Sequence, residues 1–166
     1  MSEQPAGERD MQEEDPAELL AEVLEEVVDG FGLECEVSVE VGDGVLRGCV
    51  EGEEVGLLIG RRGQTIDAVQ HLAQRILFHG GESKTRVVVD ADGYRERRTR
   101  VLQEDADDAA EEVLRSGEAV ELAPMPASER RVVHEHLRDR GDVGTHSEGE
   151  EPERYLVISP LGEDDQ

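Results

Sequence analysis

Apolar residues first recur at helical spacing: Leu20, Val23, Leu24, Val27 and Val28 share one face, behind Pro16 at a place where a first helical turn accepts proline. A helix is therefore predicted from Pro16 to the glycines at 30 and 32. The period then changes to two. Residues 34–41 (ECEVSVEV) alternate strictly, with Cys35, Val37, Val39 and Val41 on one face of a strand. Asp43-Gly44 is a favoured two-residue hairpin turn. Pairing residue 42 with 45 across it brings Leu46, Gly48 and Val50 beside the same apolar face. A three-residue loop would bring Arg47 there instead, so the pattern selects the tighter turn. In that register Cys35 and Cys49 lie on opposite faces, which argues against a disulfide or a shared metal between them.

A short apolar piece, Val55 to Ile59, reads as a short helix ahead of a glycine loop. A helix then runs from about Gln64 to Phe78, with Ile66, Val69, Ala73 and Ile76 as its buried stripe. Gly80-Gly81 breaks it, and Thr85 to Val89 reads as a third strand. A second long helix is predicted from Tyr94 to about Arg115, followed by a linker over 117–127 containing Pro124 and Pro126. Ser128 is placed as the cap of a further helix ending near Arg138, with short strands near Val143–Ser147 and Arg154–Ser159. The expected architecture is α+β in two small domains, 16–91 and 92–160. The flanking segments 1–15 and 161–166 are acidic and without periodicity, and are read as disordered tails.

Composition narrows the class. The chain is 36% hydrophobic but only 2% aromatic and has no Trp, so its cores must rest on Val, Leu, Ile and Ala. No apolar run is long enough to span a bilayer, and the N-terminus lacks the basic and apolar regions of a secretion signal. Two cysteines are too few for a disulfide framework, so a cytoplasmic setting is expected.

Charge changes the picture more. The net charge of −25 opposes a phosphate backbone, but it is unevenly spread. Residues 1–56 hold 18 acidic and 2 basic side chains, whereas residues 57–100 hold 5 acidic and 9 basic. The basic window surrounds the sequence Gly60-Arg61-Arg62-Gly63. Two glycines let a sugar–phosphate backbone approach without a Cβ in the way. Arg61 and Arg62 offer fork-shaped donors, and the helix start at Gln64 offers backbone N–H groups to an anion. A Walker loop is excluded because no Gly-Lys-Ser/Thr follows.

The stretch VGLLIGRRGQTIDAVQHLAQRIL resembles the core of a bacterial KH domain, and the order α-β-β-α-α-β resembles the type II arrangement. KH domains clamp about four nucleotides of single-stranded nucleic acid through such a loop. Further on, Arg130 and His134 share a helical face, with Arg138 one turn along. This Arg-x-x-x-His spacing resembles that of R-three-H domains. SEGEEP at 147–152 with Arg154, and GYRERR at 93–98, are similar to the corresponding stretches of the Jag (SpoIIIJ-associated) family, which joins the two domain types. The resemblance covers about residues 17–160 and suggests a short form without the family's additional N-terminal domain.

What the resemblance implies is a single-stranded RNA-binding protein, a post-transcriptional regulator or RNA chaperone. Its expected contacts are Gly60, Arg61, Arg62, Gly63, Gln64, Arg130, His134, Arg138 and Arg154. It also implies pairing with a small single-domain KH protein. No cofactor, metal or membrane insertion is expected. The other reading is a protein-interaction scaffold with degenerate RNA binding, which the negative charge favours and the intact Arg61-Arg62 pair opposes. No nucleophile, base and orienting group stand at a recognisable spacing, so no enzyme is expected.

Overall fold

Helix α1 (Pro16–Phe31) begins where Asp15 accepts a hydrogen bond from the Ala17 N–H at 3.0 Å, with Pro16 in its first turn. Asp15 is thus a helix cap rather than part of a tail. The helix ends at Gly32, whose φ of 69° is left-handed. The computed structural model describes residues 15–79 and 84–161; both predicted tails, apart from Asp15 and Leu161, and the Gly80-Gly81 break lie outside the described residues. The chain divides into two units between Asp92 and Gly93.

In the first unit α1 is followed by β1 (Cys35–Gly42), β2 (Val45–Gly52), α2 (Gly56–Ile59), α3 (Gln64–Leu77) and β3 (Arg86–Ala91). The sheet order is β1-β2-β3, antiparallel between the first pair and parallel between the second. Gly42 pairs with Val45, so the hairpin has the tight register that the alternation selects. Cys35 and Cys49 are both free, and burial, reinforced by Asp90, pushes the Cys49 thiol up. Leu20, Leu24 and Val28 of α1 join Leu46 and Val50 of β2, Val87 and Val89 of β3, and Ile66, Val69 and Ala73 of α3 in the buried set. One expectation is corrected: Leu77 is buried in place of Ile76, which is exposed. Near the C-terminal end the stripe advances four residues from Ala73 rather than three, and both steps are compatible with one helical face.

The second unit comprises α4 (Tyr94–Ser116), β4 (Val120–Glu121), α5 (Ala127–Leu137), β5 (Val143–Glu148) and β6 (Tyr155–Pro160). Its antiparallel sheet runs β4-β6-β5. Leu102, Ala106, Ala110 and Val113 of α4 pack with Val133 and Leu137 of α5 and Leu156 and Ile158 of β6. Two expectations change. The segment read as a linker contains β4, because Val120 and Glu121 pair with Ile158 and Val157. Ser128 is not the cap of α5: the Pro126 carbonyl accepts from Glu129 and Arg130 N–H at 3.0 Å each, which places Ser128 inside the first turn.

Helix α1 and strand β2 approach closely at Gly48, where an added Cβ would lie 2.4 Å from Leu24 Cδ1 and 3.5 Å from Leu20 Cδ2. Both leucines are fully buried, so a methyl group can be accommodated only by repacking. Gly48→Ala is expected to destabilise the first unit by about 1–3 kcal/mol in chemical denaturation; an unchanged midpoint would mean that α1 does not sit this close to β2.

Candidate nucleic-acid interface

Four residues link α2 to α3, and their backbone sets where the arginines stand. Gly60 has φ 70° and ψ −175°, Arg62 has φ 53° and ψ 33°, and Gly63 has φ 77° and ψ 10°. The Gly60 conformation is essentially restricted to glycine. Space forbids a side chain as well: a Cβ on Gly60 would lie 2.1 Å from Thr65 Oγ1 and 2.7 Å from Thr65 Cβ. Residues 61–63 form a single 3₁₀ turn, closed by Gly63 N–H to the Gly60 carbonyl at 3.4 Å and by Gln64 N–H to the Arg61 carbonyl. Arg61, Arg62 and Gln64 are exposed and Gly63 is buried. The turn therefore presents two arginines at the N-terminal end of α3, where the helix dipole adds positive potential.

In the second unit Arg130, Arg131 and His134 of α5 face Thr145, His146 and Ser147 of β5 across an open groove of about 330 Å³. His134 Nδ1 is hydrogen-bonded to Thr145 Oγ1, which orients the exposed ring. His146 Nε2 lies 2.8 Å from Glu148. Arg130 is only 8% exposed: its Nε donates to the Met125 carbonyl at 3.2 Å, and its other end pairs with Glu151. The predicted Arg-x-x-x-His pair thus lines one groove, with the arginine set in its floor and the histidine at its surface. Arg138 is exposed, 3.8 Å from Glu135, and does not line the groove. Arg154 is partly buried; its carbonyl accepts from Met125 N–H at 3.1 Å, and its buried Nε has no hydrogen-bond partner among the described residues.

The start of α5 is held by a pair that sequence spacing does not reveal. Arg98 of the GYRERR stretch makes a two-pronged contact with Glu129, 2.7 and 2.8 Å, tying the start of α4 to the start of α5. This hydrogen bond holds the guanidinium pKa above its ordinary value. On the far side His136 and Arg140 both reach Asp107, at 3.0 and 3.3 Å. His136 is thereby committed away from the groove. Thr145, His146 and Glu151 are not among the residues expected at the site, because their meeting with α5 depends on tertiary packing. Among the described residues no cluster of His, Cys, Asp and Glu could hold a metal ion, and no helix is long and apolar enough to cross a membrane.

Comparison with known proteins meets this geometry on both units. Residues 17–89 match the family model described as KhpA/KhpB, KH domain, and residues 100–160 match that of the R-three-H domain. The protein called RNA-binding protein KhpB in Bacillus subtilis is 34% identical over 147 residues, covering 87% of this chain and 71% of the relative. The chain belongs to the KhpB family. Proteins of the same name from Lactiplantibacillus plantarum and Clostridium symbiosum are 39% and 37% identical, over 84% and 83% of this chain. The chain spans 44% and 63% of the length of those two relatives. The glycine turn lies within the stretch that matches the KH model, and the Arg-x-x-x-His helix within the stretch that matches the R-three-H model.

The turn itself is open to a direct test. Gly60→Ala should cost about 1–3 kcal/mol through backbone strain alone, with the Thr65 collision adding to it, and should shift the denaturation midpoint downward. Stability equal to that of the parent chain would show that the loop does not require this conformation.

Proposed function

We propose that the chain binds single-stranded RNA, with the Gly60–Gly63 turn as the principal clamp and the α5–β5 groove as a second contact. The observation that carries this reading is the turn: two glycines at positive φ, two exposed arginines between them, and a helix N-terminus behind. A phosphate meets no Cβ at the glycines and finds bidentate donors at Arg61 and Arg62, with Gln64 beside them. Such contacts position a strand without reading its bases. In the groove, His134 offers a ring for stacking or hydrogen bonding, while Arg130 supplies charge from below; Arg138 and Arg154, outside the groove's lining, are secondary candidates for contact with the strand. Two modest sites on one chain strengthen each other when one strand reaches both.

Relatives named as RNA-binding proteins support this reading, and it makes the chain a binding protein rather than an enzyme. A cytoplasmic role in post-transcriptional regulation or RNA chaperoning follows from the same reading. Leu72 and Ile76, one turn apart and exposed on α3, offer an apolar surface on which a small single-domain KH protein could pair.

The test is an electrophoretic shift with mixed-sequence single-stranded RNA at low salt. The parent chain should bind, and Arg61→Asp/Arg62→Asp should bind much more weakly. If two phosphate contacts are lost, the slope of log affinity against log salt should shrink by about 1.4. An unshifted RNA with the folded parent chain at high concentration rules the reading out; equal binding by both chains moves the clamp elsewhere.

A further inference from the structure

One residue that lines the groove of the second unit, Arg130, is already paired with an anion, a carboxylate of the chain itself. Arg130 is fixed: it is almost wholly buried, and its Nε is committed to a backbone carbonyl. Its remaining contact is Glu151, whose side chain is 56% exposed on the turn between β5 and β6. The two partners are therefore unequal. Arg130 cannot leave without breaking the packing of α5, whereas Glu151 can swing into water, provided that another anion takes its place on the buried guanidinium. The carboxylate sits on the guanidinium much as a phosphate oxygen would, since the same fork recognises both groups. The turn is acidic throughout, with Glu148, Glu150, Glu151 and Glu153 in six residues. Arg154, next along the turn, keeps a buried Nε without a partner among the described residues, so the turn in this arrangement leaves one donor unsatisfied.

We propose that Glu151 is a built-in competitor for the groove, occupying Arg130 until a phosphodiester of the bound strand displaces it. This rests on the RNA-binding reading and adds the identity of the competing group. The consequence is selectivity: a free anion or a glancing phosphate must displace a tethered carboxylate, which is always at hand. A strand that reaches the groove while held elsewhere on the chain delivers its phosphates at high local concentration and succeeds. Glu151 is accordingly a residue that sets binding strength, in the opposite direction from the arginine that it covers.

The experiment compares the full chain with Glu151→Gln and with Glu153→Gln, which removes the same charge from the same turn without touching Arg130. Binding of mixed-sequence single-stranded RNA is followed by fluorescence anisotropy, and folding by thermal melting. The proposal expects Glu151→Gln to bind roughly three- to tenfold more tightly and Glu153→Gln to stay near the parent, since only Glu151 competes for Arg130. Equal gains in both variants would reduce the effect to net charge and overturn it. Unchanged or weaker binding by a folded Glu151→Gln would also overturn it, making Glu151 a prop for Arg130. Titration of inorganic phosphate, read at the Arg130 Nε–H resonance, separates this from the RNA reading. A larger phosphate response in Glu151→Gln without RNA binding by any chain keeps the competitor and discards the RNA; no phosphate response in either, with no RNA binding, discards both.

Discussion

Between α2 and α3 the chain reverses over four residues, and it can do so only because Gly60 takes a backbone conformation that a side chain would block twice, by torsion and by collision with Thr65. The two helices that flank that reversal are each anchored in the first unit's core. The α2 helix is a single turn whose Leu58 is fully buried, and α3 buries Ile66, Val69 and Ala73 on the side away from solvent. With both helices anchored, the intervening arginines have only the outside left to them. Their exposure is thus a product of packing on either side of a glycine.

The second unit handles its arginine in the opposite way. Arg130 is built into the floor of the groove, where a carbonyl and a carboxylate satisfy it, and His134 carries the exposed part of the motif. Burying a guanidinium is tolerable only with such partners. The Arg98–Glu129 pair performs the same service one residue earlier on α5, at the point where α4 begins. A net charge of −25 does not by itself decide the potential at the turn, because charge acts over roughly 8 Å at physiological salt and Arg61 and Arg62 stand on the turn itself.

Much of this is legible in the sequence, for reasons that differ by element. The β1–β2 register follows from Asp43-Gly44 and a strict alternation, because a slip of one residue would turn the half-buried Val37 and Val39 to the opposite face, although Val41 at the strand's end is exposed even in this register. Helices α1 and α3 show themselves by apolar spacing, and the glycine turn by two glycines flanking charge between apolar runs. Strand β4 is not legible: two residues carry no period, and Val120 and Glu121 become a strand only because β6 lies beside them. The start of α5 is easily misplaced because Ser128 is a good cap by type, while the Pro126 carbonyl takes the first helical bonds. Helical spacing puts Arg130 and His134 together but cannot foretell their unequal burial. That depends on Met125 and Glu151, loop residues 5 and 21 positions away from Arg130.

The reading proposed for this chain is that single-stranded RNA contacts the Gly60–Gly63 turn of the first unit and the α5–β5 groove of the second. The most direct measurement is an NMR titration of the ¹⁵N-labelled full chain with mixed-sequence single-stranded RNA, following every resolved amide. The largest shifts are expected at Gly60 to Gln64, with a second set at His134 and Thr145 to Ser147. Shifts concentrated on the acidic faces of α1 and β1, with the glycine turn unmoved, would contradict it.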